Sequence, residues 1–389
     1  MLDFIYDIPT RIHFGKDALD YIGEEAKKYG KKFLLTYGGG SIKKNGIYDK
    51  VVKELKEAGI EIFELGGIEP NPRIESVREG VRIIKENNID AILAVGGGST
   101  IDASKFMAAG AKADFDPWDF ISEKKPMSPA IPLLSVLTMS ATGSEMDCGG
   151  VITNPETTEK LASGHPDTRP KVSFLNPELT YTVSPYQTAC GSADILSHIL
   201  ETYFNINESM YMLDRIMEAL IKTVIKYGPI AKDDPENYEA RANLMWASSW
   251  AINDFIGNSS KASWSNHPME HELSAFYDIT HGLGLAILTP RWMEYVLNEK
   301  TVHKFYDLGV NVFDIDKNED PMTVAKKTID KFYEFFFEKL GLDRSLSDIG
   351  IDKDHFDQMS QKACGKKGVI RGFVDLRPED VKKIYEMSL

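Results

Sequence analysis

Three of the eight histidines of this chain lie within fifteen residues, in the stretch that contains His267, His271 and His281. A carboxylate and a further imidazole, Asp194 and His198, stand about seventy residues upstream. Residues four positions apart project from the same face of a helix, so the members of each pair can converge on one point. One carboxylate and three imidazoles suffice to hold a divalent metal ion, which polarises a substrate oxygen. The spacing therefore predicts a metal site and favours an enzyme.

The candidate ligands are nitrogen and oxygen atoms, without sulfur. Such a set suits Fe²⁺ or Zn²⁺ and also accommodates Mn²⁺ or Co²⁺, and the sequence does not choose among them. The pattern Asp194-x-x-x-His198 is not H-E-x-x-H, so a zincin-type protease is not indicated. The other four histidines lack partners at ligand spacing and are interpreted as solvated or hydrogen-bonded side chains.

The elements that must position these residues begin with an alternation of strand-like and helix-like patterns. Four apolar runs are predicted as strands, namely residues 33–37, 61–65, 91–95 and 131–137. Segments with helical periodicity separate them. Such an alternation implies a parallel, doubly wound sheet, and uninterrupted apolar strands fit burial on both faces.

The pattern changes after residue 150. Residues 151–163 predict a hairpin, and residues 172–175 and 179–183 predict two further short strands. Beyond Pro185 almost every segment has helical periodicity. The sequence therefore predicts a Rossmann-like, parallel-sheet α/β dinucleotide-binding domain over residues 1–185. An all-α, helical metal-binding domain is predicted over residues 186–389.

Two glycine-rich turns, Gly-Gly-Gly-Ser at residues 38–41 and again at 96–99, end predicted strands and begin predicted helices. Glycine lets the backbone approach a phosphate closely, and the free N–H groups at a helix start bind anions. Neither turn is G-x-G-x-x-G. One such turn alone is more often a tight connection, but two at the carboxyl ends of strands in one sheet favour a bound nucleotide. A third polar turn, residues 138–145, can line a ribose or nicotinamide, or simply lead into the hairpin.

The first glycine-rich turn also bears on the choice of cofactor. A carboxylate at the end of this strand would accept hydrogen bonds from the ribose hydroxyls of NAD. The sequence has glycines and Ser41 there, followed by Lys43 and Lys44. Small donors with nearby ammonium groups suit a 2′-phosphate, so the sequence favours NADP(H) and allows NAD(H).

Composition excludes several classes of protein. The formal net charge of -14 and a pI near 5.2 argue against a nucleic-acid partner, whose phosphates would be repelled. No apolar run reaches the roughly 18 residues of a membrane span, and the acidic start does not resemble a signal peptide. A cytoplasmic location is the resulting expectation. The three cysteines are widely spaced and form no CxxC pair, so neither a disulfide framework nor a thiolate metal site is predicted.

The chain resembles the iron-containing (group III) alcohol dehydrogenases, and within them the NADPH-dependent aldehyde reductase and butanol dehydrogenase branch. The resemblance covers nearly the whole chain. It implies a dehydroquinate-synthase-like fold with an N-terminal Rossmann-like domain and a C-terminal helical domain. Its most specific motifs are Tyr37-Gly38-Gly39-Gly40-Ser41-Ile42-Lys43, Gly96-Gly97-Gly98-Ser99-Thr100-x-Asp102, Asp194-x-x-x-His198, and His267-x-x-x-His271 continuing to His281-Gly282.

The resemblance implies roles for individual residues. The implied metal ligands are Asp194, His198, His267 and His281, and His271 is the catalytic candidate, a histidine near the nicotinamide that relays protons. The implied cofactor-binding residues are Gly97, Gly98 and Ser99 at the pyrophosphate, Gly38, Gly39, Gly40 and Ser41 at the 2′-phosphate end, and Asn71, Asp102, Thr138 and Lys160 as further neighbours.

The implied activity is a metal-dependent, NAD(P)H-linked reduction of aldehydes, or oxidation of small primary alcohols such as butanol, by a homodimer. The alternative is a metal- and NAD-dependent lyase of the dehydroquinate-synthase type. Such a lyase must bind a multiply charged substrate, but residues 194–204 and 263–284 contain no Arg or Lys. A metal-binding protein without turnover is a third reading, against which the two nucleotide-type turns argue.

Overall fold

The computed structural model describes residues 3–205, 210–257 and 264–389. The chain forms two compact units. The sheet unit comprises Asp7–Val183 and Pro235–Asn253, and the helical unit comprises Met1–Tyr6, Ser184–Asp234 and Asp254–Leu389. Within the described ranges, no helix combines the length and apolar character needed to cross a membrane.

The strands of the sheet unit, numbered along the chain, are β1 (Arg11–Phe14), β2 (Lys32–Tyr37), β3 (Glu61–Leu65), β4 (Ala91–Gly96), β5 (Leu133–Leu137), β6 (Gly149–Asn154), β7 (Glu159–Gly164) and β8 (Val172–Leu175). Six of them form one parallel sheet in the order β1-β8-β5-β4-β2-β3. The other two, β6 and β7, form the predicted antiparallel hairpin.

Helices connect the strands and make up the second unit. Those of the sheet unit are α1 (Ile22–Ala26), α2 (Ser41–Lys44), α3 (Ile47–Glu57), α4 (Ile74–Asn87), α5 (Gly98–Gly110), α6 (Asp119–Ser122) and α9 (Tyr238–Ile252), with 3₁₀ turns at Ala18–Tyr21, Pro166–Thr168 and Pro177–Thr180. Those of the helical unit are α7 (Pro185–Tyr203), α8 (Tyr211–Asp233), α10 (Asn266–Tyr277), α11 (His281–Val296), α12 (Val302–Phe313), α13 (Pro321–Tyr333), α14 (Phe356–Ala363) and α15 (Pro378–Met387). A π-helical segment, Glu334–Lys339, continues α13, and 3₁₀ turns lie at Ser347–Ile349 and Gly365–Lys367. The predicted fold class, a parallel α/β sheet followed by helices, is confirmed.

The central strands are buried on both faces because helices cover both sides of the sheet. Leu34 and Ile92 pack with α4 and α5, whereas their neighbours Phe33 and Leu93 pack on the opposite face with α1 and α3. Every residue of β4 and β5 is buried, as the largely apolar sequences of both strands predict. The core therefore fixes the carboxyl ends of these strands, where the polar turns follow.

One predicted strand is wrong and one observed strand was not predicted. Residues 179–183 are not a strand, because Pro177 begins a 3₁₀ turn whose Glu178 N–H donates to the side chain of Asn176 at 2.9 Å. The edge strand β1 has only four residues and pairs with β8 alone. Its sequence, Arg-Ile-His-Phe, carries too little apolar patterning to stand out.

Helix α9 belongs to the sheet unit although the chain reaches it after the first helices of the helical unit. The Ser248 hydroxyl donates to the carbonyl of Ala141 at 3.2 Å, and the Ser249 hydroxyl donates to the Glu145 carboxylate. Met245 joins the core beneath the sheet. The chain thus passes from the sheet unit to the helical unit after Val183, and it returns to the sheet unit once, to form α9. The functional division into a dinucleotide-binding domain at 1–185 and a metal-binding domain at 186–389 stays a prediction.

Glu145 is a fully buried carboxyl group in the turn after β5. Its Oε1 accepts the Ser249 hydroxyl, while its Oε2 has no hydrogen-bond partner among the described residues. Burial raises the pKa of Glu145, and the bond from Ser249 only partly offsets that effect. The folded protein therefore favours the protonated form of this side chain.

We predict that Glu145→Gln stabilises the fold more at pH 8 than at pH 5. A raised pKa in the folded state gives stability that is present below the pKa of the unfolded chain and is lost as the pH rises through the folded value. Glutamine keeps the shape without that loss. Thermal unfolding of both proteins across this pH range measures the difference. Glu57→Gln, on the exposed face of α3, is the control and should give a pH-independent difference.

Helices α7 and α11 approach each other closely at Gly282. A Cβ atom at this position would overlap the carbonyl oxygen and the Cα of Cys190, which are backbone atoms that cannot rotate away. Leu283, Leu285 and Ala286 are buried around this crossing. The glycine therefore sets the separation of two helices that carry candidate ligands.

Replacement of Gly282 by alanine is predicted to destabilise the protein by about 1–3 kcal/mol, the usual cost of overpacking, despite the better helix propensity of alanine. Chemical denaturation measures this free energy. Gly39→Ala is the control because a Cβ there meets no described atom within 4 Å. Equal stability of the two variants would contradict the packing argument.

Candidate metal centre and cofactor-binding turns

Three helices of the helical unit bring the predicted metal ligands together. Asp194 and His198 lie one turn apart on α7, His267 lies in the first turn of α10, and His281 begins α11. Asp194, His198 and His267 are buried, and His281 is partly buried. The i, i+4 spacing read from the sequence thus places two of these side chains on one helix face, and the packing of α10 and α11 supplies the others.

The ring nitrogens converge on a single carboxylate oxygen. The Nε2 atoms of His198, His281 and His267 lie 3.6, 3.7 and 3.9 Å from Oδ1 of Asp194. These separations are too long for hydrogen bonds. They are close to the roughly 3.4 Å expected between ligand atoms that each lie about 2.1 Å from one tetrahedral ion. One ligand atom from each of Asp194, His267 and His281 lies within 4.8 Å of the other two, so these three residues form a candidate ligand set, and His198 adjoins it at Asp194.

Two of these atoms are buried without a hydrogen-bond partner among the described residues, namely Oδ1 of Asp194 and Nε2 of His267. Burying such groups unsatisfied costs free energy, which a bound cation removes. The observed residues therefore fit the divalent metal ion predicted from the sequence.

Glu201, one helix turn beyond His198 on α7, holds His267 in place. Its Oε1 accepts hydrogen bonds from the backbone N–H and from Nδ1 of His267, at 2.8 and 2.9 Å, and its Oε2 accepts the backbone N–H of Ser265 at 2.6 Å. A carboxylate only accepts, so Nδ1 carries a proton, and Nε2 is the nitrogen that could give its lone pair to a bound cation.

Glu270 plays the same part for His281. Its Oε2 contacts Nδ1 of His281, and its Oε1 accepts the hydroxyl of Ser274. Gly284 makes room for it, because a Cβ there would come within 2.8 Å of the Glu270 Cγ. Sequence reasoning missed both carboxylates. The available signal was their spacing, since Glu201 and Glu270 each stand three residues after a candidate ligand, on adjacent turns.

The charges of the metal centre reinforce one another. Burial would raise the pKa of Asp194, but the imidazoles of His198, His267 and His281 outweigh it and lower the pKa to about 2. Burial would lower the pKa of His267, but Glu201 and Asp194 outweigh it and raise the pKa to about 9. The carboxylates thus make this buried point favourable for positive charge.

His271, the predicted proton relay, lies beside the ligand set and does not face the shared oxygen. Its ring centroid is 5.7 Å from that of His281 and 6.2 Å from that of His267. Trp264 covers the other side, with its ring 4.5 Å from His267 and 5.3 Å from His198. The ligand rings are therefore held between an indole and a partly buried histidine.

In the sheet unit, the three polar turns meet at the carboxyl edge of the sheet. The N–H of Thr138 donates to the Gly96 carbonyl at 3.0 Å, and a Cβ on Gly98 would overlap the Thr142 side chain. Gly97 precedes α5, so that Gly98 and Ser99 form its first turn. Residues 38–41 directly follow β2, which pairs with β4, and Gly40 has a φ of 94° immediately before α2. The glycines implied to bind the cofactor therefore share one edge.

The remaining predicted cofactor neighbours lie farther along these elements. Asp102 is buried, with its carboxylate accepting the Ser144 hydroxyl and the Val151 N–H, so it joins α5 to the third turn and the hairpin. Lys160 is buried on β7 opposite Thr153. The N–H of Thr153 donates to the carbonyl of Pro72, the residue after Asn71. The structure thus brings the segments of Asn71 and Lys160 together at the hairpin.

Comparison with known proteins identifies relatives over almost the whole chain. Residues 9–177 match the family described as iron-containing alcohol dehydrogenase, and residues 188–389 match the C-terminal domain of the Fe-containing alcohol dehydrogenase family. The chain is 56% identical over 326 residues to NADH-dependent butanol dehydrogenase A of Clostridium acetobutylicum, covering 84% of each chain. It is 40% identical over 298 residues to the NADPH-dependent aldehyde reductase YqhD of Escherichia coli, covering 76% of each.

A solved structure agrees with the sequence relatives. The crystal structure of NADH-dependent butanol dehydrogenase A from Thermotoga maritima is similar with a TM-score of 0.94 and 39% identity, over 99% of this chain and 98% of that one. The predicted family, fold and oxidoreductase class are confirmed. The chain belongs to the iron-containing alcohol dehydrogenase family.

Proposed function

We propose that this enzyme reduces small aldehydes to primary alcohols, and catalyses the reverse reaction, with a nicotinamide cofactor and one divalent cation. The observation that carries the proposal is the convergence of three imidazole Nε2 atoms on Oδ1 of Asp194, at 3.6–3.9 Å. Asp194, His198, His267 and His281 would hold the cation, Fe²⁺ or Zn²⁺. When bound, the cation supplies Lewis acidity toward the substrate oxygen, and the reduced nicotinamide supplies hydride.

The protein's own residues prepare and balance this chemistry. Glu201 holds a proton on Nδ1 of His267, so that Nε2 is the nitrogen available to a cation. Glu270 contacts Nδ1 of His281 and orients that ring in the same way. His271, next to both rings, is proposed as the group that gives a proton to the product oxygen and recovers it from water.

The polar turns are proposed to bind the cofactor. Gly97, Gly98 and Ser99 offer backbone N–H groups at the start of α5 to the pyrophosphate, and residues 38–41 receive the adenosine ribose. Thr138 lies beside the turn at residues 96–99, since its N–H donates to the Gly96 carbonyl. The N–H groups of a helix start favour anions, which supports this assignment.

The names of the relatives suggest which substrates and which nicotinamide cofactor, NADH or NADPH, to propose for this enzyme. Relatives of this chain carry names of butanol dehydrogenases that depend on NADH and of an aldehyde reductase that depends on NADPH. Butanal and butanol are therefore the first substrates to test. The homodimer and the cytoplasmic location stay predictions, and light scattering of the purified protein tests the former.

The purified enzyme is expected to contain close to one equivalent of iron or zinc and to oxidise NADH or NADPH when butanal is added. Elemental analysis and the loss of nicotinamide absorbance measure the two properties. A protein that binds metal but turns over no aldehyde with either cofactor would contradict the proposed function.

Alanine variants of the histidines distinguish the proposed metal ligands from the proposed proton relay. His267→Ala and His281→Ala are expected to lose the metal, since each removes one nitrogen of the converging set. His271→Ala is expected to keep the metal and lower turnover by about 10²–10⁴-fold, the usual contribution of a positioned acid–base group. Equal metal content in all three variants would overturn these assignments.

Glu201→Gln is predicted to lower metal affinity by about 10–100-fold, the typical cost of removing a carboxylate behind a ligating histidine. The amide keeps the shape but removes the negative charge that favours the cation. Competition with a chelator measures the affinity. Glu294→Gln, an exposed position on α11, serves as the control and should bind metal like the parent enzyme.

A further inference from the structure

A carboxylate, two phenols and an ammonium group form a cluster at the carboxyl edge of the sheet, next to the first glycine-rich turn. Glu64, near the end of β3, accepts the Tyr37 hydroxyl at 2.9 Å and the Tyr48 hydroxyl on its other oxygen. The Lys43 ammonium donates to the same carboxylate at 3.4 Å. We call these four residues the Glu64 cluster.

Lys43 is not a free cation in this cluster. Its Nζ lies 4.7 Å from the centre of the Tyr37 ring and 4.5 Å from that of Tyr48, in addition to the ion pair with Glu64. The carboxylate cancels most of the field that the ammonium would exert on a neighbouring anion. The lysine that favours a phosphate when read from the sequence is thus already neutralised by its environment.

The Glu64 cluster is fixed against the backbone of the glycine-rich turn. Tyr37 is the last residue of β2 and directly precedes Gly38. The chain after β3 packs on the same turn, because the Gly67 N–H donates to the Gly38 carbonyl at 3.0 Å and the Ile68 N–H to the Tyr37 carbonyl at 3.2 Å. Gly66 lies against the Tyr37 ring, where a Cβ would overlap it. The carboxylate and the turn therefore form one rigid local unit.

The charge of Glu64 is secured by its partners. Its partial burial would raise the pKa of the carboxyl, but the hydroxyls of Tyr48 and Tyr37 and the Lys43 ammonium outweigh that effect and lower the pKa. The side chain is therefore ionised at neutral pH. It is also partly exposed, so it can meet a ligand bound at the turn.

We propose that Glu64 is the residue that sets the cofactor preference of this enzyme, and that it selects NADH over NADPH. This inference rests on the proposed function, in which residues 38–41 receive the adenosine ribose. A carboxylate beside that ribose accepts hydrogen bonds from the 2′-hydroxyl of NADH, and its ion pair with Lys43 removes the attraction that this lysine would exert on the 2′-phosphate of NADPH. The preference for NADP(H) expected from the sequence rested on Lys43 and Lys44 and did not include the acidic partner of Lys43 on the neighbouring strand.

The test is cofactor binding and turnover in Glu64→Gln. Dissociation constants of NADH and NADPH are measured by nicotinamide fluorescence, and kcat/KM for both is measured with butanal. The parent enzyme is expected to prefer NADH, and the substitution to shift the NADPH-to-NADH ratio toward NADPH by roughly three- to tenfold, the scale of a partly exposed charge interaction with a phosphate. Glu61→Gln, the same substitution at the start of β3, is the control and should leave the ratio unchanged.

Lys43→Gln completes a double-mutant cycle. Because Glu64 and Lys43 neutralise each other in the parent enzyme, Lys43→Gln alone leaves the carboxylate uncompensated and is expected to weaken NADPH binding. In the Glu64→Gln background the same substitution should remove most of the gain in NADPH affinity. A parent enzyme that binds NADPH more tightly than NADH, or a ratio that Glu64→Gln does not move in a folded protein, would overturn the inference while leaving the proposed function intact. Failure of the parent enzyme to bind either cofactor would overturn the proposed function itself.

Discussion

The helical unit is organised around one buried carboxylate oxygen, Oδ1 of Asp194. Three imidazoles direct Nε2 atoms at it from distances that leave room for a cation between them and are too long for hydrogen bonds. Among the described residues, neither this oxygen nor Nε2 of His267 has a hydrogen-bond partner. A cation bound at this point would satisfy both atoms only when α7, α10 and α11 are packed, so its binding free energy would stabilise the folded arrangement of these helices.

The geometry of that centre is enforced from behind the ligands. Glu201 and Glu270 fix the far nitrogens of His267 and His281, and they add negative charge where a cation is to be held. Gly282 and Gly284 complete the arrangement, since the first lets α11 reach the backbone of α7 and the second leaves space for Glu270. The His-Gly-Leu-Gly sequence at the start of α11 thus supplies one candidate ligand and the space that allows α11 to pack against α7 and Glu270.

Much of the architecture could be predicted from the sequence because the determining patterns are local. Apolar runs predicted β2, β3, β4 and β5, and the i, i+4 spacing predicted that the candidate ligands Asp194 and His198 share one helix. The contributions of β1, of α9 and of Glu201 and Glu270 depend on contacts between distant segments, which periodicity does not encode. Residues 179–183 are apolar enough for a strand, but Asn176 and Pro177 begin a turn there first. The candidate ligands could therefore be predicted from local spacing, whereas the side chains that orient them could not.

Carboxylates have opposite effects at the two candidate sites, and the difference comes from what they face. Behind the imidazoles, Glu201 adds to a site for positive charge, whereas Glu64 removes the effect of a positive charge at the glycine-rich turn. The second effect depends on strand register. Glu64 is paired with Leu35, which places its side chain on the same face of the sheet as Tyr37. Since side chains alternate along a strand, a shift of one residue would turn the carboxylate to the other face and leave Lys43 uncompensated. The proposed role of Glu64 in cofactor preference therefore depends on how β3 pairs with β2 and cannot be read from the turn alone.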